Sequence, residues 1–213
     1  MTNPDLTHIE FVLDRSGSMQ SIKSDIEGGF DAFIADQRSH LGLCTVSLAQ
    51  FDNEYETVFT AVDVGEVRSL DLQPRGATAM LDAIGRSVLA LGERLAALPE
   101  AERPGTVVVA IMTDGMENAS HEFTHAAIKD LITRQEQAYN WQFLYMGADQ
   151  DAIEVGASIG VRPDRSLTYA RGKSKEAYAA TSKLTRQLKE ATATGAPMAS
   201  ITYSAEDRDA TKA

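Results

Sequence analysis

Residues 106–112, TVVVAIM, form an apolar run that lacks the alternation of a half-exposed strand. A strand is apolar at every position when both of its faces are covered, as in the middle of a parallel sheet. We therefore predict a central parallel strand here. Helices must cover both faces of such a sheet, which restricts the chain to an α/β architecture.

Strand-like and helix-like segments alternate along the rest of the chain. HIEFVLD at 8–14 and WQFLYM at 141–146 are typical of further strands, and SLTYA at 166–170 of a short last one. The runs at 42–51 and 55–62 are separated only by DNE, which predicts an antiparallel hairpin. With right-handed crossovers, this order predicts an α/β, doubly wound, mostly parallel sheet with one antiparallel edge hairpin and helices on both faces, similar to a Rossmann fold.

Apolar residues recur at helical spacing in the segments between the strands. In 80–98, Leu81, Ile84 and Val88 begin a series at steps of three and four. Asp149 and Asp151 are expected to cap a short helix that follows them. Further helices are predicted after the first strand, over about 123–138, from about 150 and over about 173–194.

Glycines mark weak points and ends of these helices. Gly28 and Gly29 weaken the prediction of a helix after the first strand, because glycine disfavours helix interiors. Gly195 is expected to end the last helix. Residues 1–195 are thus predicted to form one domain. Residues 196–213 lack periodicity, which is typical of a mobile C-terminal tail.

The composition restricts the partners and the compartment. The 213 residues carry 20 Lys and Arg against 31 Asp and Glu, a formal charge of -11 that repels the nucleic-acid backbone. The single cysteine, Cys44, can form no intrachain disulfide, and the first residues do not resemble a secretion signal. No run approaches the roughly eighteen apolar residues of a membrane helix. We therefore expect a cytoplasmic protein that binds neither nucleic acid nor membrane.

Small side chains with oxygen ligands follow the predicted strands. Asp14, Ser16 and Ser18 follow the first strand in the pattern D-x-S-x-S, Asp114 follows the central strand in MTDG, and Thr78 lies in RGATAM before a helix. In parallel α/β sheets, ligands bind beyond the carboxyl ends of the strands. Each motif alone is typical of a turn or a helix cap. Their shared place at one edge of the sheet predicts a metal site.

The types of these residues decide which metal they would suit. Hydroxyls, two carboxylates and water make an oxygen-only shell that suits Mg²⁺ or Mn²⁺. Ca²⁺ usually takes more oxygen ligands, and Zn²⁺ prefers nitrogen or sulfur. Mg²⁺ is therefore the expected ion. A water in such a shell can be replaced by a carboxylate from another molecule.

These five positions resemble the von Willebrand factor A (VWA) domain family, whose metal-ion-dependent adhesion site (MIDAS) combines D-x-S-x-S with a distant Thr and a distant Asp. The order of predicted elements is also similar, and the resemblance is nearest to stand-alone bacterial or phage proteins. It implies that Ser16, Ser18 and Thr78 bind the ion through hydroxyls, and that Asp14 and Asp114 bind it directly or through water. It also implies a protein partner that supplies an Asp or Glu. Some bacterial relatives work beside AAA+ ATPases.

A second motif suggests a different metal. HEFTH at 121–125 matches H-E-x-x-H, the zinc-protease helix in which His121 and His125 would bind Zn²⁺ and Glu122 would be the base. Here the motif opens a predicted helix, with Ser120 as the expected cap, and the sequence offers no evident third ligand. We therefore expect a helical pair of solvated histidines instead of a catalytic zinc centre.

These observations favour a non-enzymatic module that binds a protein through Mg²⁺. The chain has no phosphate-binding loop and no dinucleotide-binding motif. No nucleophile or base is apparent near the expected ion. Two alternatives stay open: a metal-dependent hydrolase, because bound Mg²⁺ can act as a Lewis acid, and a metal-free scaffold of the same fold.

Overall fold

Six strands form one sheet in the computed structural model, which describes residues 1–40 and 42–213. Their bounds are Asn3–Asp14 (β1), Leu43–Phe51 (β2), Tyr55–Asp63 (β3), Pro104–Thr113 (β4), Gln142–Ala148 (β5) and Ser166–Tyr169 (β6). The spatial order is β3-β2-β1-β4-β5-β6, and every neighbouring pair is parallel except β2 and β3. The predicted sheet and its antiparallel edge hairpin are confirmed.

β1 and β4 lie side by side in the middle of the sheet. Val12 of β1 is in register with Ala49 of β2 on one side and with Ile111 of β4 on the other. The apolar run that begins at Val107 in β4 is buried throughout. The sequence therefore identified the central strand correctly, because a strand without polar positions needs cover on both faces.

The helices lie on both faces of this sheet. Successive side chains of a strand point to opposite faces. Phe11 of β1 accordingly packs with Phe30 and Tyr178 on one face, and Val12 belongs to the cluster of Ile84 and other residues on the other face. The helix bounds are Lys23–Arg38 (α1), Met80–Ala97 (α2), His125–Tyr139 (α3), Ala152–Ser158 (α4), Ser174–Thr194 (α5) and Ala205–Ala210 (α6).

The start of α3 differs from the prediction. The helix begins at His125 and is capped by Thr124, not by Ser120. The backbone N–H groups of residues 121–123 donate to the carboxylate of Asp82 in α2. Because Asp82 holds residues 121–123 in an extended turn, these residues cannot form the first turn of α3.

The ends of two other helices test the predictions about caps. Asp151 caps α4, as predicted, by accepting hydrogen bonds from backbone N–H groups of the first turn. Asp149 does not cap this helix, and its carboxylate instead pairs with Arg171. Gly195 ends α5 with a φ of 71°, a conformation that glycine adopts readily.

Residues 196–213 pack against the domain, in contrast to the expected mobile tail. Tyr203 is buried, and its hydroxyl lies 2.9 Å from Thr181 Oγ1 of α5. Ser204 and Asp207 form a capping box at the start of α6. At the end of the segment, the backbone oxygen of Thr211 accepts a hydrogen bond from Ala170 N at 2.9 Å. Isolated anchors such as Tyr203 produce no periodic pattern, so the sequence did not reveal them.

Cys44 is buried in β2, and burial raises the pKa of its thiol to about 11. This thiol therefore stays protonated and packs as a small apolar side chain. Across residues 1–40 and 42–213, no helix is both long and apolar enough to span a membrane.

Candidate metal centre

The candidate centre lies where β1 and β4 end together. The chain continues from β1 to β2, which lies on one side of β1. β4 and the strands after it extend the sheet on the other side of β1. The order of the sheet therefore reverses between β1 and β4, which is where ligands bind in open α/β sheets. Asp14 ends β1, and Asp114 directly follows β4.

Asp14 is fully buried at this edge. Its Oδ1 accepts a hydrogen bond from Ser16 N at 2.6 Å, and its Oδ2 accepts one from the hydroxyl of Thr113. Burial raises the pKa of Asp14 to about 6 although these hydrogen bonds lower it, and the nearby carboxylate of Asp114 raises it further. A buried carboxylate in this state gains strongly from a cation beside it.

The two serines join Asp14 to Asp114. Ser16 Oγ and Ser18 Oγ lie 3.1 Å apart, and the Ser18 hydroxyl donates to Asp114 Oδ1 at 2.5 Å. Ser16 is buried, whereas Ser18 is exposed at the rim. The alternation of D-x-S-x-S therefore turns both hydroxyls toward the two carboxylates.

Thr78 lies near Asp14, next to Gly115. A Cβ placed on Gly115 would lie 2.8 Å from Thr78 Oγ1 and 3.6 Å from Asp14 Oδ2, so both oxygens face the same glycine. The backbone of Thr78 is fixed by Asn118, whose side chain accepts from Thr78 N at 2.9 Å and whose N–H donates to Thr78 O at 3.0 Å. A side chain at position 115 would fill the space in front of the threonine hydroxyl.

The structure thus brings all five predicted residues to one place: Asp14, Ser16, Ser18, Thr78 and Asp114. Hydroxyl and carboxylate oxygens from three separate loops converge there, which is the donor set of a hard divalent cation. Among the described residues, no group of three or more His, Cys, Asp or Glu side chains is placed to hold a metal. Cation binding here would therefore depend on the hydroxyls.

Comparison with solved structures identifies the fold. The vWF domain of the type V pili tip protein Mfa5 from Porphyromonas gingivalis matches with a TM-score of 0.55 and 11% identity, over 85% of this chain and 95% of that one. The manganese-loaded TRAP protein of Plasmodium vivax matches with a TM-score of 0.57 and 16% identity, over 84% and 74%. The chain has the VWA fold.

A third match is proximal thread matrix protein 1 from the mussel byssus, in a structure with a zinc-occupied MIDAS motif. The TM-score is 0.56 at 16% identity, over 87% of this chain and 46% of that chain, so our chain spans less than half of the mussel protein. At such identities the likeness concerns the fold. No family model matches the sequence, and no curated protein matches it.

Within this VWA fold, a buried ion pair supports the first loop of the candidate centre. Arg15 points away from these oxygens, and its Nε lies 3.0 Å from Oδ2 of Asp52. The same oxygen accepts from Arg75 Nε at 2.8 Å, and Arg75 N donates to Arg15 O. Gly17 N also donates to Gly76 O at 3.2 Å. These contacts join the D-x-S-x-S loop to the loop that carries Thr78.

A second support fixes the loop after Asp114. The carboxylate of Glu117 accepts from Ala119 N, Ser120 N and Leu81 N at 2.8 to 2.9 Å. It ties the loop to the start of α2, next to Thr78. No sequence pattern predicts Glu117, Asn118 or Asp82, because a side chain that binds distant backbone groups leaves no local pattern.

Arg171 is a further residue at this centre that no sequence pattern predicts. Its Nη2 lies 3.3 Å from Asp114 Oδ2, and its Nη1 donates to Ser21 Oγ at 2.6 Å. Asp149 accepts from both the Nε and the backbone N–H of Arg171. A positive charge therefore lies at the rim of this candidate centre.

The HEFTH motif does not form a helical pair of histidines. His121 lies in the turn that Asp82 holds, and His125 is the first residue of α3. Glu122 forms an ion pair with Arg86 of α2, which lowers the pKa of this carboxyl group. The two histidines are exposed, but they do not share a helical face, so the geometry of H-E-x-x-H is absent from this described segment.

Proposed function

We propose that this protein is a non-enzymatic, cytoplasmic binding module in which Asp14, Ser16, Ser18, Thr78 and Asp114 hold Mg²⁺ or Mn²⁺. The bound cation would offer a coordination position to an Asp or Glu of a partner protein. The convergence of three hydroxyls and two carboxylates at the switch point of the sheet carries this proposal.

The roles of the residues follow from their burial. Asp14 and Ser16 are buried and would form the floor of the centre, whereas the exposed Ser18 is at the side from which a partner approaches. The two carboxylates balance the charge of a dication, and the hydroxyls donate oxygens without adding charge. A partner's carboxylate is thus not opposed by excess negative ligands.

The overall charge also supports a carboxylate partner. The chain carries a formal charge of -11 and repels other acidic proteins. A bound dication offsets the negative charge at one edge and can coordinate an acidic side chain there. Because the five oxygen ligands include no nitrogen or sulfur, we favour Mg²⁺, although zinc and manganese occupy the mussel and Plasmodium proteins.

Thermal unfolding in the presence of metal tests cation binding. Mg²⁺ or Mn²⁺ should raise the melting temperature, and EDTA should reverse the effect. At a metal concentration of a hundred times the dissociation constant, the gain in the free energy of unfolding should be about 2.7 kcal/mol. Thr78→Val replaces the hydroxyl with a methyl group and should weaken the response. Thr57→Val, on the exposed edge strand, is the matched control. An unchanged melt of the native protein at high Mg²⁺ would exclude the metal site.

Capture of the partner tests the metal bridge. The native protein should retain a partner from its host lysate in Mg²⁺, and should lose it in EDTA or when Asp14→Ala is used as bait. The resemblance to bacterial VWA proteins makes an AAA+ ATPase one candidate to look for. Equal retention in all three conditions would rule out a bridging cation.

A further inference from the structure

Arg171 is a positively charged residue in direct contact with a proposed metal ligand. It lies in the short loop between β6 and α5, and its Nη2 is 3.3 Å from Asp114 Oδ2. In the described part of the chain, no other Lys or Arg lies within salt-bridge distance of Asp14 or Asp114. A cation-binding centre would therefore contain a fixed positive charge of its own.

The guanidinium of Arg171 is held on two further sides. Asp149 accepts from its Nε at 2.8 Å and from its backbone N–H at 3.2 Å, and Ser21 Oγ accepts from its Nη1 at 2.6 Å. Asp149 itself is fixed, because its N–H donates to Tyr169 O at 2.9 Å. The side chain therefore cannot swing freely into solvent, although it is 42% exposed.

The backbone of the loop restricts Arg171 as well. Ala170, the residue before it, donates its N–H to Thr211 O of the C-terminal segment at 2.9 Å. Gly172, the residue after it, has a φ of 84°, which glycine tolerates without strain. Two neighbours of Arg171 in sequence are thus held in place, and the charge beside Asp114 is preorganised.

Asp114 is satisfied at both oxygens by the chain itself. Its Oδ1 accepts from Ser18 Oγ, and its Oδ2 faces Arg171. The arginine thereby offsets the repulsion between Asp14 and Asp114 that two close carboxylates would otherwise produce. A cation that takes Asp114 as a ligand must share this carboxylate with a guanidinium that remains close to it.

We propose that Arg171 sets the metal affinity of the centre by opposing the cation. This inference rests on the proposed function, because it concerns the same five ligands. Like charges a few ångströms apart near a protein surface repel strongly enough to change a binding constant roughly tenfold or more. The ion pair with Asp149 offsets only part of the charge of Arg171. Net repulsion between Arg171 and a dication at Asp114 therefore remains.

Calorimetric titration with Mn²⁺ alone tests the inference. Arg171→Gln and Arg171→Met remove the charge and should bind Mn²⁺ about tenfold more tightly than the native protein. Arg171→Lys keeps the charge and should bind close to the native affinity. The difference in Mn²⁺ affinity between the native protein and Arg171→Gln should become smaller at roughly 0.5 M salt, because exposed charges are then screened.

The outcomes separate this inference from the proposed function. Equal or weaker Mn²⁺ binding by the Gln and Met variants, with native binding intact, overturns the role of Arg171 and leaves the metal centre in place. Tighter binding by Lys and Gln alike shows that charge is not the cause, and this also overturns it. Absence of Mn²⁺ binding in every protein overturns both proposals. Circular dichroism of each variant shows whether it is folded. Because the Gln and Met variants both remove the charge, either one can test the inference if the other misfolds.

Discussion

At the scale of single residues, the candidate centre contains a carboxyl group, that of Asp14, whose ionised form is disfavoured by burial. This carboxyl group is fully buried, and its pKa is raised to about 6 because burial outweighs the hydrogen bonds from Thr113 and Ser16. An acid with a raised pKa in the folded state binds protons more tightly when folded than when unfolded. Its contribution to stability is therefore largest in acid and is lost as the pH rises from about 4 to about 6.

Asp14→Asn should therefore stabilise the metal-free protein at about pH 7, by roughly 1 to 3 kcal/mol. The amide has no charge to bury and can keep one hydrogen bond as an acceptor. The same variant should lose the stabilisation by Mg²⁺. Urea unfolding in EDTA and in Mg²⁺ measures both effects. A variant that is less stable in EDTA at this pH would contradict the physical account of Asp14.

Asp82 is a carboxylate with the opposite behaviour. Burial by itself raises its pKa, but the N–H groups of His121, Phe123 and Glu122 outweigh burial and hold the pKa of Asp82 below its usual range. Such a depressed pKa stabilises the protein above the unfolded value of about 4. This contribution is lost as the pH falls through the folded value.

Asp82→Ala should destabilise the protein by about 2 to 4 kcal/mol near neutral pH, because three backbone N–H groups lose a charged acceptor. The loop between Asp114 and α3 should then exchange its amide hydrogens faster. Asp130→Ala, an exposed carboxylate on α3, is a control that should have little effect. Native-like stability of Asp82→Ala would show that the loop is held by other contacts.

At the scale of elements, the two glycines of α1 have different roles. A Cβ on Gly29 would clash with the ring of Tyr178, so α1 and α5 approach each other closely at this position. Gly28 faces only the flexible end of Lys175, at 3.4 Å. Tyr178 also packs edge-on against Phe30, with ring centroids 6.4 Å apart. The helix forms despite the two glycines because its packing outweighs their low propensity.

Gly29→Ala should therefore cost about 1 to 3 kcal/mol in stability, because the new methyl group disrupts the packing of Tyr178. Gly28→Ala is the matched control, and it should be neutral or stabilising by up to about 1 kcal/mol through helix propensity. Urea unfolding of both variants gives the comparison. Equal effects at the two positions would show that the packing of α1 on α5 is looser than the structure indicates.

At the scale of the whole molecule, residues 196–213 complete the fold at β6. This strand is at the edge of the sheet, where Arg208 donates to Ser166 O at 2.8 Å and Thr211 Oγ1 donates to Thr168 O at 2.9 Å. The buried guanidinium of Arg165 also donates to backbone oxygens of Met198 and Ile201. The segment thus covers an open edge and satisfies a buried charge.

Truncation after Gly195 should lower the stability by several kcal/mol, because Arg165 loses two charged hydrogen bonds and an edge strand is uncovered. The shortened protein should also aggregate more readily. A protein that lacks only Lys212 and Ala213, both exposed, is the control. If urea unfolds the long truncation and the control at the same concentration, residues 196–211 contribute nothing to the fold.

Much of the architecture followed from local patterns. Apolar patterns indicate which faces of a segment are buried, as in the run at Val107, the hairpin and the helical stripe at Ile84. The buried faces in turn determine how strands and helices form the layers of an α/β fold. The five candidate ligands could be predicted because each directly follows a strand or precedes a helix at one edge. That these residues bind a cation remains a prediction for the titrations above.

Sequence patterns alone were enough to predict the fold class, the order of the strands along the chain and the residues of the candidate centre. Only the folded chain shows where α3 begins, how residues 196–213 dock, and which charges surround Asp114. Asp82, Asp149 and Arg171 act on groups that lie more than twenty residues away in the chain. Periodicity records the burial of a segment, whereas such contacts exist only after distant segments have met. The metal affinity that we propose for this centre would therefore depend on the assembled fold.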